Sequence, residues 1–239
     1  MFIQADSLDH AALNEAIRGA ACDVELTGCL GQRFIGAGLS EHRLKITGIP
    51  GNALGAYLDG AYIETAGNAQ DAVGDTMNAG SIIVGGNIGD TAGYAMRGGE
   101  IYVRGSAGYR TGIHMKAYRE KLPVIVIGGV VGSFLGEYQA GGVILVLGLH
   151  SGDKRIVGNF PCTGMHGGKM ILRSDCAGIA FPSQVTACPA SSEDMAEIRT
   201  YVERFCLLFG EDPGAVLDAP FTVITPDSKN PYRQMYVVN

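Results

Sequence analysis

The chain has no long apolar run. Its longest apolar stretches, residues 124–127 and 143–147, are far shorter than the ~20 residues that a membrane-spanning helix needs. Residues 1–10 lack the basic segment and apolar core of a signal peptide. No basic tract occurs, and the formal net charge of the 239 residues is −6, which disfavours a nucleic-acid surface. These absences predict a cytoplasmic protein that binds neither membrane nor nucleic acid.

The composition predicts a fold that buries its own hydrophobic core and needs no disulfide bonds. With 46% hydrophobic residues, the chain can bury its own core. Its six cysteines are therefore expected to be reduced and mostly buried, without a disulfide framework. Glycine is about twice its usual share, at 36 residues, but without the three-residue period of collagen.

The glycines instead follow a longer repeat. Five of them lie 19 residues apart, namely Gly36, Gly55, Gly74, Gly93 and Gly112. The first apolar residues of four segments keep the same step, namely Leu44, Ile63, Ile82 and Ile101. Ile125 and Ile144 are again 19 residues apart, and insertions separate the later segments. A fixed period of about 20 residues is typical of a solenoid.

Each unit of the repeat reads as a short strand followed by a turn. Pairs of alternating apolar residues should point inward: Val24/Leu26, Leu44/Ile46, Ile82/Val84, Ile101/Val103, Ile125/Ile127, Ile144/Val146 and Met170/Leu172. Between them stand residues suited to an outer face: Glu25, Lys45, Tyr102 and Arg104. The pattern G-x-x-G-x-x-x-G then follows at Gly48/Gly51/Gly55, Gly86/Gly89/Gly93, Gly105/Gly108/Gly112 and Gly129/Gly132/Gly136. Its glycines suit sharp corners with positive φ. The sequence predicts a parallel β-helix of about eight coils, right-handed like most parallel crossovers.

Three regions follow from this pattern. Residues 1–23 form an N-terminal cap, in which the stretch from Asp6 to Asp9 can cap a short helix through Ala11–Arg18 that ends at Gly19. Residues 24–180 form the β-helix. Residues 181–239 form a C-terminal helix and tail that pack on the solenoid. Ser191 or Ser192 can cap an amphipathic helix that ends at Gly210. Two strand-like pieces, residues 221–224 and 232–238, fold back on the rod or reach a partner.

Motifs that would carry chemistry are weak. The glycine spacing differs from the dinucleotide pattern G-x-G-x-x-G and leads into another strand. The residues Cys162, His166, Cys176 and Cys188 match no common zinc spacing, so buried thiols and a surface histidine are favoured over a metal site. No close triplet of cysteines suggests an iron–sulfur cluster.

Acid–base and nucleophilic candidates are isolated as well. Ser106 and Ser133 stand in glycine turns without the G-x-S-x-G pattern of a serine nucleophile. His114 lies at a corner just before an insertion at residues 117–121. Glu137 and Tyr138 place a carboxylate beside an aromatic ring, but a lone acidic residue is more often a hydrogen-bonded corner than a general base. We assign no catalytic, cofactor-binding or metal-binding residue.

Two longer runs carry a family resemblance. The segment from Gly132 to Gly148 contains Glu-Tyr-x-x-Gly-Gly, and Asn159-Phe160 is followed by Gly164-Met165-x-Gly167-Gly168. These motifs, in this order, resemble the C-terminal glycine-repeat domain of the glutamate synthase large subunit. The resemblance covers most of residues 24–210.

The resemblance implies a right-handed β-helix that has no catalytic residues of its own. In the large subunit this domain packs between a glutamine amidotransferase domain and an FMN-binding synthase barrel. Here, residue 2 is Phe, so the N-terminal cysteine nucleophile of the amidotransferase is expected on another chain. The resemblance therefore implies a structural subunit, with FMN and iron–sulfur clusters held by partner subunits.

Several alternatives stay open at this point. Related β-helices occur in N-methylglutamate synthase and in one of the subunits of formylmethanofuran dehydrogenase, and a self-contained hydrolase is a further hypothesis. Whether the chain is itself an enzyme is not decided by the residues, and the isolated chain could form homo-oligomers. We expect the outward residues Tyr102 and Arg104 to face a partner subunit.

Overall fold

The computed structural model describes residues 1–152 and 154–227 of the 239-residue chain. The strands of this part are β1 Phe2–Gln4, β2 Val24–Leu30, β3 Arg43–Ile49, β4 Asp59–Thr65, β5 Ala79–Val84, β6 Gly99–Val103, β7 Pro123–Ile127, β8 Ala140–Val146, β9 Gly167–Leu172, β10 Val185–Pro189 and β11 Thr222–Pro226. The helices are α1 His10–Arg18, α2 Ser192–Phe209 and α3 Pro213–Leu217. No helix in the described ranges is long and apolar enough to cross a membrane.

The predicted β-helix is confirmed. Strands β1 to β9 pair in parallel in their order along the chain, one strand per coil. Register aligns one buried apolar residue from each coil in a single column: Val24, Leu44, Ile63, Ile82, Ile101, Ile125, Ile144 and Met170. Every residue predicted to point inward belongs to the interior core. The 19-residue step of the sequence is therefore the length of one coil.

The corner glycines have both a conformational and a steric role. Gly55 and Gly74 have φ values of +64° and +68°, a region that glycine enters at little cost. A Cβ atom at either position would lie 2.5 Å from Cδ1 of the column residue in the next coil, Ile82 or Ile101. Glycine is therefore needed at these corners, because the column residue of the next coil fills the space that a side chain would occupy.

Both helices predicted from capping signals are present. Asp9 caps α1 through its side chain, and Gly19 ends the helix. Ser191 and Asp194 form a reciprocal capping box at the start of α2, and Gly210 ends it with φ +72°. Helix α1 buries its apolar face against the first coil, as a solenoid end requires. Strand β1, which precedes it, is a short parallel strand that the sequence pattern did not predict.

The C-terminal tail folds back on the rod, which is one of the two placements expected for it. Its first strand-like piece becomes β11, which inserts between β9 and β10 and pairs antiparallel with both. The reversal closes the parallel stack, because β10 is then the last strand and ends at Pro189, which has no N–H to offer a further strand. The second piece, residues 232–238, lies outside the described residues.

Candidate functional site

One edge of the rod presents a regular set of outward side chains. At each corner, residues two before and two after the corner glycine also adopt left-handed backbone conformations, such as Arg110 and His114 around Gly112. Their amides point along the rod: Arg110 N donates to Ser133 O and His114 N to Glu137 O, both at 2.9 Å. The left-handed conformation therefore extends the ladder of hydrogen bonds between coils around the corner, while the side chains face outward.

This edge brings together three residues that the sequence had singled out. The rings of His114 and Tyr138 stack with centroids 5.2 Å apart and an angle of 7°. Glu137 accepts a hydrogen bond from Arg110, with 2.9 Å between Nε and Oε2. Tyr94, one coil earlier, meets His114 edge-on at 5.9 Å.

Arg110 was missed because it lies 27 residues before Glu137. The signal was available, since Gly112 and Gly136 occupy equivalent corners and place His114 directly beneath Tyr138. The insertion after His114 lengthens that coil and hides the correspondence. The resulting cluster is a surface ion pair flanked by stacked rings. Because the carboxylate of Glu137 is paired with a guanidinium, it is poorly suited to act as a general base.

The two turn serines have structural partners. Ser106 Oγ accepts a hydrogen bond from Val130 N at 3.1 Å, and Ser133 Oγ accepts one from Asn159 N at 3.0 Å. Oδ1 of Asn87 likewise accepts a hydrogen bond from Ser106 N at 2.8 Å. These side chains bind the backbone of the next coil, as asparagine and aspartate do at neighbouring turn positions. Their hydroxyls therefore support the rod.

Comparison with protein families identifies the repeat. Residues 10–226 match the family model described as the GXGXG motif, the glycine-repeat domain of the glutamate synthase large subunit. The chain belongs to this family. The GXGXG domain thus accounts for most of the chain, and the resemblance drawn from the Glu-Tyr and Asn-Phe segments is confirmed.

Two known proteins are similar to this GXGXG domain. The uncharacterized protein MJ1350 of Methanocaldococcus jannaschii is 42% identical over 248 residues, which cover 98% of this chain and 95% of that protein. A chain from the crystal structure of the formyltransferase/hydrolase complex (FhcABCD) of Methylorubrum extorquens with methylofuran has a TM-score of 0.60 at 19% identity. That match covers 84% of this chain and 71% of the other. It shows a common fold.

The cysteines and His166 of the GXGXG domain do not converge. Cys162 replaces a corner glycine in the last coil, with φ +61°, and its Sγ lies 3.3 Å from Sδ of Met170. Burial raises the pKa of the Cys162 thiol to about 12, whereas Cys188 is exposed. Residues 1–152 and 154–227 contain no group of three or more His, Cys, Asp or Glu side chains placed to hold a metal.

The thiols are free as predicted, but fewer are buried than expected. All six lack a disulfide partner, and three of them are buried: Cys29, Cys162 and Cys206. Cys22 and Cys188 are exposed, because they lie outside the column of inward positions. The burial of each thiol thus depends on its position in its coil, and the six thiols form no common site.

The prediction that Tyr102 faces a partner subunit is wrong. Its side chain points outward from β6 but is fully buried beneath α2, against Val202 and Phe205 in a second core. Arg204 of α2 lies over the ring at 5.4 Å, and its Nη2 is 2.7 Å from Oε2 of Glu100. Tyr102 therefore anchors the domain's own helix and is not available to a partner.

Arg104 remains half exposed beside this second core. Its Nη2 lies 3.5 Å from Oε1 of Glu211, just beyond the end of α2. It also lines a groove of about 630 Å³ between the end of α2 and strands β3–β5, with Lys45, Leu208 and Phe209. Only Arg104 of the predicted pair thus reaches an open surface.

Proposed function

We propose that this chain is a non-catalytic structural subunit of a glutamate synthase-type complex. The observation that supports this proposal most strongly is the family match over residues 10–226. The Methanocaldococcus relative, matched over 95% of its length, supports the proposal, since the GXGXG domain makes up nearly all of that protein. A domain of this family can therefore exist without a catalytic domain on the same chain.

In this proposal, the rod holds two catalytic subunits at a fixed separation. One is a glutamine amidotransferase that releases ammonia, and the other is an FMN-containing synthase that also carries iron–sulfur clusters. The rod interior is filled by its own column of side chains, for example Ile101 and Ile125, which are fully buried. An ammonia path would therefore run along an outer surface of the rod and be closed by the partners.

The geometry of the rod's edge agrees with a role in contact. The carboxylate-bearing side chain of Glu137, which is 12% exposed, is held by Arg110. The ring of His114 is held between two tyrosine rings. Fixed side chains of this kind suit recognition of a protein surface better than proton transfer.

A second candidate is a β-helix subunit of a related complex, such as N-methylglutamate synthase or formylmethanofuran dehydrogenase. The structural neighbour belongs to a formyltransferase/hydrolase complex, so this fold occurs within an assembly of that kind. Family membership favours the glutamate synthase type, because the matching model describes the domain of that enzyme.

Purification of the tagged chain from its native organism tests the proposal. We expect an amidotransferase subunit and a flavoprotein synthase subunit to co-elute in equal amounts, with FMN released on denaturation. Mass spectrometry and the flavin absorbance spectrum are the measurements. Recovery of formyltransferase or dehydrogenase subunits without flavin would favour the second candidate, and recovery of the chain alone at native expression would contradict both.

A further inference from the structure

The outward corner residues change in character along the rod. Two residues before the corner position, the first coil holds Phe34 beside His10 of α1, and the next three hold Ala53, Ala72 and Thr91. The later coils hold Arg110, Phe134 and Phe160 there. Two residues after it, Tyr57 in the second coil is followed by Thr76 and Ala95, and then by His114 and Tyr138. Large corner residues therefore stand singly in the first two coils, and they occupy the same corner position in successive coils only from Gly112 onward.

The fold does not require these large side chains. All of them have φ between +54° and +61°, and the left-handed region costs a residue with a Cβ about 1–2 kcal/mol. Alanine and threonine adopt the same conformation in the earlier coils, so small residues satisfy the backbone. Bulky residues in this region are unusual and gather where a ligand is held. Their presence here indicates a role outside the fold.

The large residues form one continuous surface, which we call the aromatic platform: Tyr94, Arg110, His114, Phe134, Tyr138 and Phe160. Besides the stack of His114 on Tyr138, the Arg110 guanidinium lies 5.0 Å from the Phe134 ring centroid, and Phe134 lies 5.3 Å from Phe160. Phe160 is 62% exposed and Tyr94 is 41% exposed. The rings are therefore held rigidly while still reaching solvent.

Positive charge borders the platform in the same coils. Four residues after the corner glycine, the early coils hold Ser40, Asp59 and Asn78, and the next two hold Arg97 and Lys116. The insertion adds Arg119, whose guanidinium lies 5.2 Å from the Tyr118 ring centroid, together with Glu120. Arg97, Lys116 and Arg119 form no ion pair within 4 Å among the residues described. This basic border contrasts with the chain's net charge of −6.

We propose that the aromatic platform docks an acidic surface of a catalytic partner subunit; this rests on the proposed function. Tyrosine and arginine are enriched among the residues that dominate binding energy at protein interfaces, and phenylalanine is enriched at interfaces. Rigid aromatic rings also lose little conformational entropy on binding. The basic border supplies charge complementarity, which orients the partner and speeds association.

Asparagine substitutions test the platform without straining the rod. Asparagine enters the left-handed region more readily than most residues. The variant H114N/F160N should therefore keep or raise the melting temperature. Its affinity for the partner should fall by about tenfold or more, as for other interface hot spots. The matched control is Tyr57→Asn, since Tyr57 holds the same position as His114, is 58% exposed, and lies outside the platform.

The measurement is the dissociation constant of each variant for the amidotransferase and the FMN synthase subunits, each expressed separately, at low and high salt. Lys116→Glu should weaken binding and reduce its salt dependence. Equal affinity of wild type and H114N/F160N overturns the platform and leaves the proposed function intact. Binding of neither subunit by wild type overturns both. A homodimer of the isolated chain that H114N/F160N dissociates would identify a second copy as the occupant and contradict the acidic partner.

Discussion

Gly93→Ala should abolish stable folding or lower the melting temperature by more than any surface substitution. Gly93 has φ +67°, and a Cβ atom there would overlap Cδ1 of Ile125 in the next coil. The variant therefore incurs left-handed strain of about 1–2 kcal/mol and an overpacking cost of about 1–3 kcal/mol. The atom that meets the new Cβ is the end of the Ile125 side chain, which is fully buried, so it can shift only against its packed neighbours. Thermal and urea unfolding measure the loss.

Gly38→Ala is the control for strain alone. Gly38 has the same φ, +67°, but no atom lies within 4 Å of a Cβ built there. It should lose only the conformational contribution, about 1–2 kcal/mol. The difference between the two variants isolates contact with the next coil. Equal losses at Gly38 and Gly93 would contradict the steric role of the corner glycines.

Tyr102→Ala should detach α2 from the rod. The ring is fully buried between β6 and α2, and truncating a buried aromatic side chain costs about 3–5 kcal/mol. We expect a lower urea midpoint and faster proteolysis within α2, while the strand signal of the rod persists at low denaturant. Limited proteolysis followed by mass spectrometry locates the first cleavage.

Tyr102→Phe is the matched control for packing. The Tyr102 hydroxyl is buried and has no hydrogen-bond partner among the described residues, so its removal relieves a desolvation penalty and leaves the ring in place. Stability should be unchanged or higher. A large loss in the phenylalanine variant would show that the hydroxyl, and not the ring, holds the helix.

The coils of the rod were predictable because their signals are local and repeated. From β2 to β7, each coil carries its own strand followed by a corner glycine, so the step between Ile82 and Ile101 already gives the register of two strands. Helix ends were predictable for the same reason, since Asp9 and Ser191 bind amides only two or three residues away.

Long-range placement was not predictable from these signals. Strand β11 enters the sheet beside β9 although about 50 residues separate them, and nothing near Thr222 specifies that partner. The alternating pattern of β6 correctly places Tyr102 on the outer face of the strand. Its burial, however, depends on where α2 packs, and many separate contacts determine that position. The same limit hid the pairing of Arg110 with Glu137 across an insertion.

The candidate site was predictable in part. The sequence singled out His114, Glu137 and Tyr138, and the structure places them on one edge. Their grouping depends on the alignment of the coils, and the partner of Glu137, Arg110, was not foreseen. The family motifs carried the functional proposal further than any single side chain, because a surface made for contact lacks the fixed spacing of a catalytic motif.

The most direct test compares glutamine-dependent and ammonia-dependent synthesis by the two proposed catalytic subunits, with and without this chain. A scaffold keeps the local concentration of ammonia high only when the sites are held together, an effect of about tenfold or more. We predict that omission of the chain, or its replacement by H114N/F160N, sharply lowers the glutamine-dependent rate while the rate with free ammonia stays nearly unchanged. Equal loss of both rates, or a full glutamine-dependent rate without the chain, would contradict the scaffold role.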